Sequence, residues 1–221
     1  MFLYKLLSEM NEKYITIRFY EELNDFLPSE NQKKDILLHF FNSPTIKDVI
    51  ESFGVPHTEI DSILANGKSV NFNYHINTKD RFSVYPKFES FDIQSITKLR
   101  SVPLRESRFI LDVHLGKLAK YLRLLGFDTI YKNNLEDKYI IKLSREQERI
   151  ILTRDVGILK HNTVQHGYYI RSDQPREQVT EVLQRFDLFG NIQPFSRCLS
   201  CNGKLIAVEK TDIIHRLDPA T

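Results

Sequence analysis

The chain is poor in cysteine: the only two in 221 residues are Cys198 and Cys201. A disulfide framework is thereby excluded, and the C-x-x-C spacing suits metal or redox chemistry instead. Long apolar runs are missing too. No window approaches the roughly eighteen uninterrupted apolar residues of a membrane span, and MFLYKLLSEMNEKY turns charged too early for a secretory leader. A cytoplasmic protein with no membrane partner is expected. No repeat or low-complexity segment interrupts the chain, and 41% hydrophobic residues suffice for ordinary cores.

Charge of one sign is scarce only locally. Residues 1–97 hold 10 Lys and Arg against 14 Asp and Glu, a net of −4, whereas residues 98–221 hold 21 against 15, a net of +6. A polyanion partner is therefore expected on the C-terminal part.

In the N-terminal part, YITIRFY (14–20) alternates Ile15, Ile17 and Phe19 inward, and DILLHFF (35–41) reads as its hairpin partner. Thr45 caps a helix with Asp48 at N3; Ile46, Val49, Ile50 and Phe53 share one face, and Gly54 and Pro56 stop it. Asn66-Gly67 then favours a tight hairpin turn, and RFSVYP is another alternating strand. The order strand, strand, helix, strand, strand, with TIKDVIESFGVPHTEID, ILANGKSVNF and DRFSVYPKFES, resembles the small β-grasp, ubiquitin-like domains related to sulfur carriers. Those carriers act through a free C-terminal Gly-Gly. Here the corresponding place reads YPKFESFD and the chain runs on, so carrier chemistry is not expected and a structural appendage or a protein-binding module remains. The domain is placed at 1–90, with a linker at 91–107 containing Pro103.

The C-terminal part repeats one theme. Phe109, Ile110 and Leu111 form a short continuous apolar run, as in a strand buried on both faces, and Asp112 follows. Leu115, Leu118, Ala119, Leu122 and Leu125 then form a helical stripe ended by Gly126, with Lys117, Lys120 and Arg123 on its flank. Ile150 to Leu152 with Asp155, and Tyr168 to Ile170 with Asp173, repeat the arrangement; in the third copy Pro175 stands near N1, and Val179, Val182, Leu183 and Phe186 are the buried stripe. NNLEDKYIIKLSREQE reads as a helix with Glu136 and Asp137 in its first turn. Strands alternating with helices predict a parallel α/β domain, whose ligands bind at the carboxyl edge. Each aspartate is equally well placed as a helix cap, worth about 1 kcal/mol. Several converging carboxylates, however, repel unless they hold a hard divalent ion such as Mg²⁺ or Mn²⁺, and such an ion suits phosphodiester hydrolysis.

FILDVHLGKLAKYLRLLGFDT, RIILTRD and RSDQPREQ followed by C-x-x-C resemble the Mut7-C family of PIN-like ribonucleases over residues 107–210, through the long pattern D-x-x-L-G-x-L-A-x-x-L-R-x-L-G-F-D. An N-terminal ubiquitin-like domain also occurs in that family. The resemblance implies a PIN-like, three-layer parallel-sheet domain (108–190) that hydrolyses RNA. By it, Asp112 and Asp155 match acidic metal positions, Asp137 takes the helical one with Glu136 as rival, and Asp173 is a fourth candidate. Asp112, Asp137 and Asp155 are then the catalytic set with Mg²⁺ or Mn²⁺, and Lys117, Arg123 and Arg154 grip RNA phosphates. His114 is left outside it, because hard metals prefer oxygen. A non-catalytic RNA-binding protein and a toxin-type RNase are the rivals.

RCLSCNGKLIAVEK resembles the first knuckle of a zinc ribbon, placed within a tail of residues 191–221. The second C-x-x-C of similar family members does not follow. Cys198 and Cys201 leave a Zn²⁺ site two ligands short unless His215, water or another copy of the chain completes it.

Overall fold

The computed structural model describes residues 13–86 and 107–216. Two sheets organise them. The first has five strands in the order β2-β1-β5-β3-β4: β1 (Lys13–Phe19), β2 (Ile36–Phe40), β3 (Ile60–Ala65), β4 (Lys68–Val70) and β5 (Arg81–Pro86). Only β1 and β5 run parallel; the other neighbours are antiparallel. This is a β-grasp sheet.

The alternation in β1 works as the period-two pattern requires, with Ile15, Ile17 and Phe19 essentially unexposed beneath α1 (Ile46–Ser52). Thr45 and Asp48 form a reciprocal capping box at its start. Asn66 and Gly67 take positive φ between β3 and β4, as a two-residue hairpin demands. β2 pairs antiparallel with β1, as expected, through a link of two 3-10 turns, Glu21–Phe26 and Ser29–Asn31. One detail differs from the expected order of four strands: the short KSV segment pairs as a strand in its own right.

The second sheet is all parallel, ordered β7-β6-β8-β9: β6 (Phe109–Leu111), β7 (Thr129–Ile130), β8 (Ile150–Thr153) and β9 (Gly167–Tyr169). Strand side chains alternate faces, so one chain segment feeds two cores. Phe109 and Leu111 pack with α2 (Gly116–Leu124) and α5 (Pro175–Arg185), while Ile110 and Ile151 pack with α3 (Asp137–Gln147) and α4 (Val156–Leu159). Helices therefore cover both faces, giving the three-layer α/β architecture. Residues 91–106 of the expected linker lie outside the described residues.

Candidate active site

Parallel register brings Leu111 level with Leu152, so the residues that follow β6 and β8 emerge side by side at the carboxyl edge. Asp112 is 5% exposed and caps the 3-10 turn Val113–Leu115, accepting from the Val113 amide. Its other oxygen, Oδ2, accepts from Thr153 Oγ1 at 3.0 Å. That same hydroxyl oxygen accepts from the Asp155 amide at 2.9 Å. One hydroxyl thus ties the two aspartate-bearing turns together. Among the described residues Asp112 has no basic partner, and a buried carboxylate without one is costly.

Asp155 is exposed and caps α4, with Oδ1 accepting from the Gly157 amide at 2.6 Å. Asp155 and Asp137, at the first turn of α3, line one cleft of about 550 Å³. Lys138, Lys142, Arg145 and His161 line it too. Three of these are basic residues spaced along α3 on the side facing α4, and none was singled out in the sequence, where they read as ordinary solvated helix charge. Periodicity was the available signal: positions 138, 142 and 145 follow the four- and three-residue steps that put side chains on one helix face.

The other expected residues fall elsewhere. Glu136 is the exposed N-cap of α3, without a side-chain capping bond. Asp173 is exposed and pairs with Arg154, which also donates to the Ser172 carbonyl at 3.0 Å. Lys117 and His114 are exposed near the start of α2. Arg123 differs most from expectation. It is 4% exposed, and its guanidinium donates to the carbonyls of Thr129, Leu199 and Ser200 at 2.9 to 3.0 Å. It pins the cysteine knuckle to the sheet, because a cation without a surface anion finds its acceptors in the backbone beside it.

The knuckle itself is well formed. Cys198 N donates to the Gly203 carbonyl at 2.8 Å, and Asn202 takes the left-handed conformation that turns the chain. Amides of Cys201 and Ser200, the Cys201 thiol and the Arg123 charge lower the Cys198 pKa against a small burial effect. The two thiols are free and half-buried to exposed. Beneath them Asp128 accepts from Arg149 at 2.7 Å and from Asn202 at 2.9 Å and faces Arg197 at 3.3 Å.

For a hard cation the fit is one of chemistry rather than of finished geometry. Asp112, Asp155 and Asp137 offer oxygen donors around one strand edge, as Mg²⁺ or Mn²⁺ requires. Among the described residues, no three His, Cys, Asp or Glu side chains stand together as one ligand set. The same holds for zinc at the knuckle.

Residues 107–221 match the Mut7-C RNAse domain, more than half of the chain. The chain belongs to the Mut7-C RNAse domain family. Residues 12–92 match the Mut7-C ubiquitin domain, so the β-grasp sheet is the ubiquitin-like partner of that RNase domain. No curated protein matches the sequence. Among solved structures, the crystal structure of SAMP1 from Haloferax volcanii is similar at 11% identity over 35% of this chain and 99% of that one, with a TM-score of 0.27. No helix among the described residues of this Mut7-C chain is long and apolar enough to cross a membrane.

Proposed function

We propose that this Mut7-C chain is a metal-dependent ribonuclease that hydrolyses RNA phosphodiester bonds at the carboxyl edge of the parallel sheet. The observation that carries the reading is the buried Asp112 carboxylate, tied through Thr153 to the Asp155 turn at the rim of a cleft with a basic wall. Asp112 and Asp155 would hold Mg²⁺ or Mn²⁺, with Asp137 reaching in from α3. When bound, the ion polarises the phosphate and lowers the pKa of a water molecule.

The remaining work falls to the chain's own groups. Val113 N–H and the Thr153 hydroxyl fix the orientation of Asp112, so it needs no reorganisation on binding. Asp155 spends Oδ1 on its cap, leaving Oδ2 for a ligand or for the proton of an attacking water. Lys138, Lys142 and Arg145 neutralise successive phosphates along the cleft. Arg154, next to Asp155, exchanges its Asp173 partner for the scissile phosphate, a bidentate geometry that guanidinium suits.

The spacing of the carboxylates favours one alternative, an RNA-binding protein that does not cut. End-labelled single-stranded and structured RNAs incubated with Mn²⁺, with EDTA, and with the Asp112→Asn/Asp155→Asn variant separate the two. The nuclease reading expects metal-dependent cutting that falls at least about a hundredfold in the variant, as loss of transition-state charge stabilisation does. Equal binding and equal inactivity of wild type and variant would leave the non-catalytic reading standing.

A further inference from the structure

The β-grasp and RNase parts meet through buried polar groups that the cleavage reading does not use. Glu59 closes the 3-10 turn His57–Glu59 that leads into β3, and it is 0% exposed. A carboxylate buried so fully is tolerated only when it is paired and hydrogen-bonded. Its partners come from the other sheet. The Tyr169 amide donates to Oε1 at 2.7 Å, and Arg171 Nη2 donates to Oε2 at 3.1 Å. Arg171 also donates to Asp25 Oδ2 at 3.1 Å, and its guanidinium lies between the rings of Phe26 and Tyr168, 5.5 and 5.2 Å from their centroids. Burial is the largest influence and alone would lower the Arg171 pKa; the charges of Glu59 and Tyr168 and the hydrogen bonds to Glu59 and Asp25 together outweigh it and raise it. Phe26 in turn meets Tyr169 edge-on at 5.3 Å.

The segment held in this way is the exit of β9, and it leads to the candidate active site. Ser172 and Asp173, directly after Arg171, provide the carbonyl and carboxylate that receive Arg154. Arg154 stands beside Thr153 and Asp155 in sequence. A continuous series of direct contacts therefore runs from Glu59 in one fold to the proposed phosphate-binding arginine in the other. His57 adds a parallel tie, its ring bridging Glu51 at 2.7 Å and the Val164 carbonyl at 2.8 Å, and Lys160 donates to the Glu51 carbonyl at 2.6 Å.

We propose that the ubiquitin-like part is an internal brace for the nuclease edge, with Glu59 a positioning residue that fixes the β9 exit and, through Ser172 and Asp173, the Arg154 side chain. Its consequence for cleavage rests on the function proposed above; the brace itself is tested apart from it. In this role the β-grasp fold spends Glu59 and its neighbours on its own chain rather than on a separate partner.

The test uses the full chain as wild type, Glu59→Gln, Glu59→Ala and Arg154→Ala. Hydrogen exchange should quicken by about tenfold or more at residues 169–174 in both Glu59 variants, while the β1 amides keep wild-type protection, the signature of local rather than global opening. Glu59→Gln keeps the side-chain shape, so its result stands even if the alanine variant fails to fold. On RNA with Mn²⁺, Glu59→Gln should raise KM several-fold as Arg154→Ala does, and the two together should lose no more than Arg154→Ala alone, because they act through one group. Unchanged exchange at 169–174, a uniform rise through both sheets, or additive losses would overturn the brace. If wild type cuts no RNA, the exchange result still decides the brace and only the cleavage reading falls.

Discussion

Asp128 ends the G-F-D of the long sequence pattern, yet its carboxylate faces the knuckle rather than the acidic edge. Burial pushes its pKa up, but hydrogen bonds from Arg149 and Asn202 and the charges of Arg149 and Arg197 outweigh burial and hold it below the ordinary 3.8. A depressed carboxyl contributes stability that is complete above its unfolded pKa and is lost as pH falls through the folded one. Unfolding followed from pH 7 downward should therefore show a loss of stability beginning near pH 4 in wild type. In Asp128→Asn that acid limb should flatten, and stability at neutral pH should drop by on the order of 1–3 kcal/mol, since buried Arg149 and the neighbouring Arg197 lose the negative charge they face. An unchanged acid limb would mean that Asp128 does not contribute to the acid sensitivity of the fold.

Among the elements, the junction between α2 and the tail turns on Gly126. Its φ is +97°, and a Cβ there would stand 2.3 Å from the Gln193 carbonyl oxygen, a backbone atom that cannot step aside. Gly126→Ala should cost more than about 1 kcal/mol in a denaturant melt, because both the backbone conformation and the space exclude a side chain. A neutral result would mean that the tail docks by other contacts. The Gly126 helix stop was legible in the sequence, as were the capping box, the Asn-Gly hairpin and the triple apolar runs of β6 and β8, because each is a local pattern with one favoured outcome. β7 was not, since a two-residue edge strand has no period to read. Nor were the Leu199 and Ser200 carbonyls that accept from Arg123, the Asn202 amide that donates to Asp128, or the Glu59–Arg171 pair, because partners 70 or more residues away leave no trace in local spacing. Asp112 and Asp155 were legible as strand-end carboxylates; the Thr153 hydroxyl joining them was not, as a threonine ending a β-strand is unremarkable in composition.

For the whole molecule, the uneven charge distribution has a consequence in solution. The acidic β-grasp half places Glu22, Asp25 and Glu59 against Arg185 and Arg171, so part of the basic half's charge is neutralised internally. Exposed cations remain on the basic half, Lys138, Lys142 and Arg145 of the cleft among them. With Lys138, Lys142, Arg145 and Arg154 on phosphates, log affinity for single-stranded RNA should fall against log salt with a slope of about −3, shallower by about 0.7 for each cation removed. Filter binding of Lys142→Gln across salt concentrations checks this, and an unaltered slope would move RNA off the α3 wall.

Asp112 and Asp155 are proposed above to hold a hard cation. Calorimetric titration of Mn²⁺ into the full chain tests it directly, because Cys198 and Cys201 are soft ligands and Mn²⁺ favours carboxylates. Wild type should bind Mn²⁺ saturably, and Asp112→Asn should bind it at least about tenfold more weakly, some 1.4 kcal/mol. Equal Mn²⁺ affinity in the two proteins, or none in either, would contradict this and leave Asp112 as the cap of a turn.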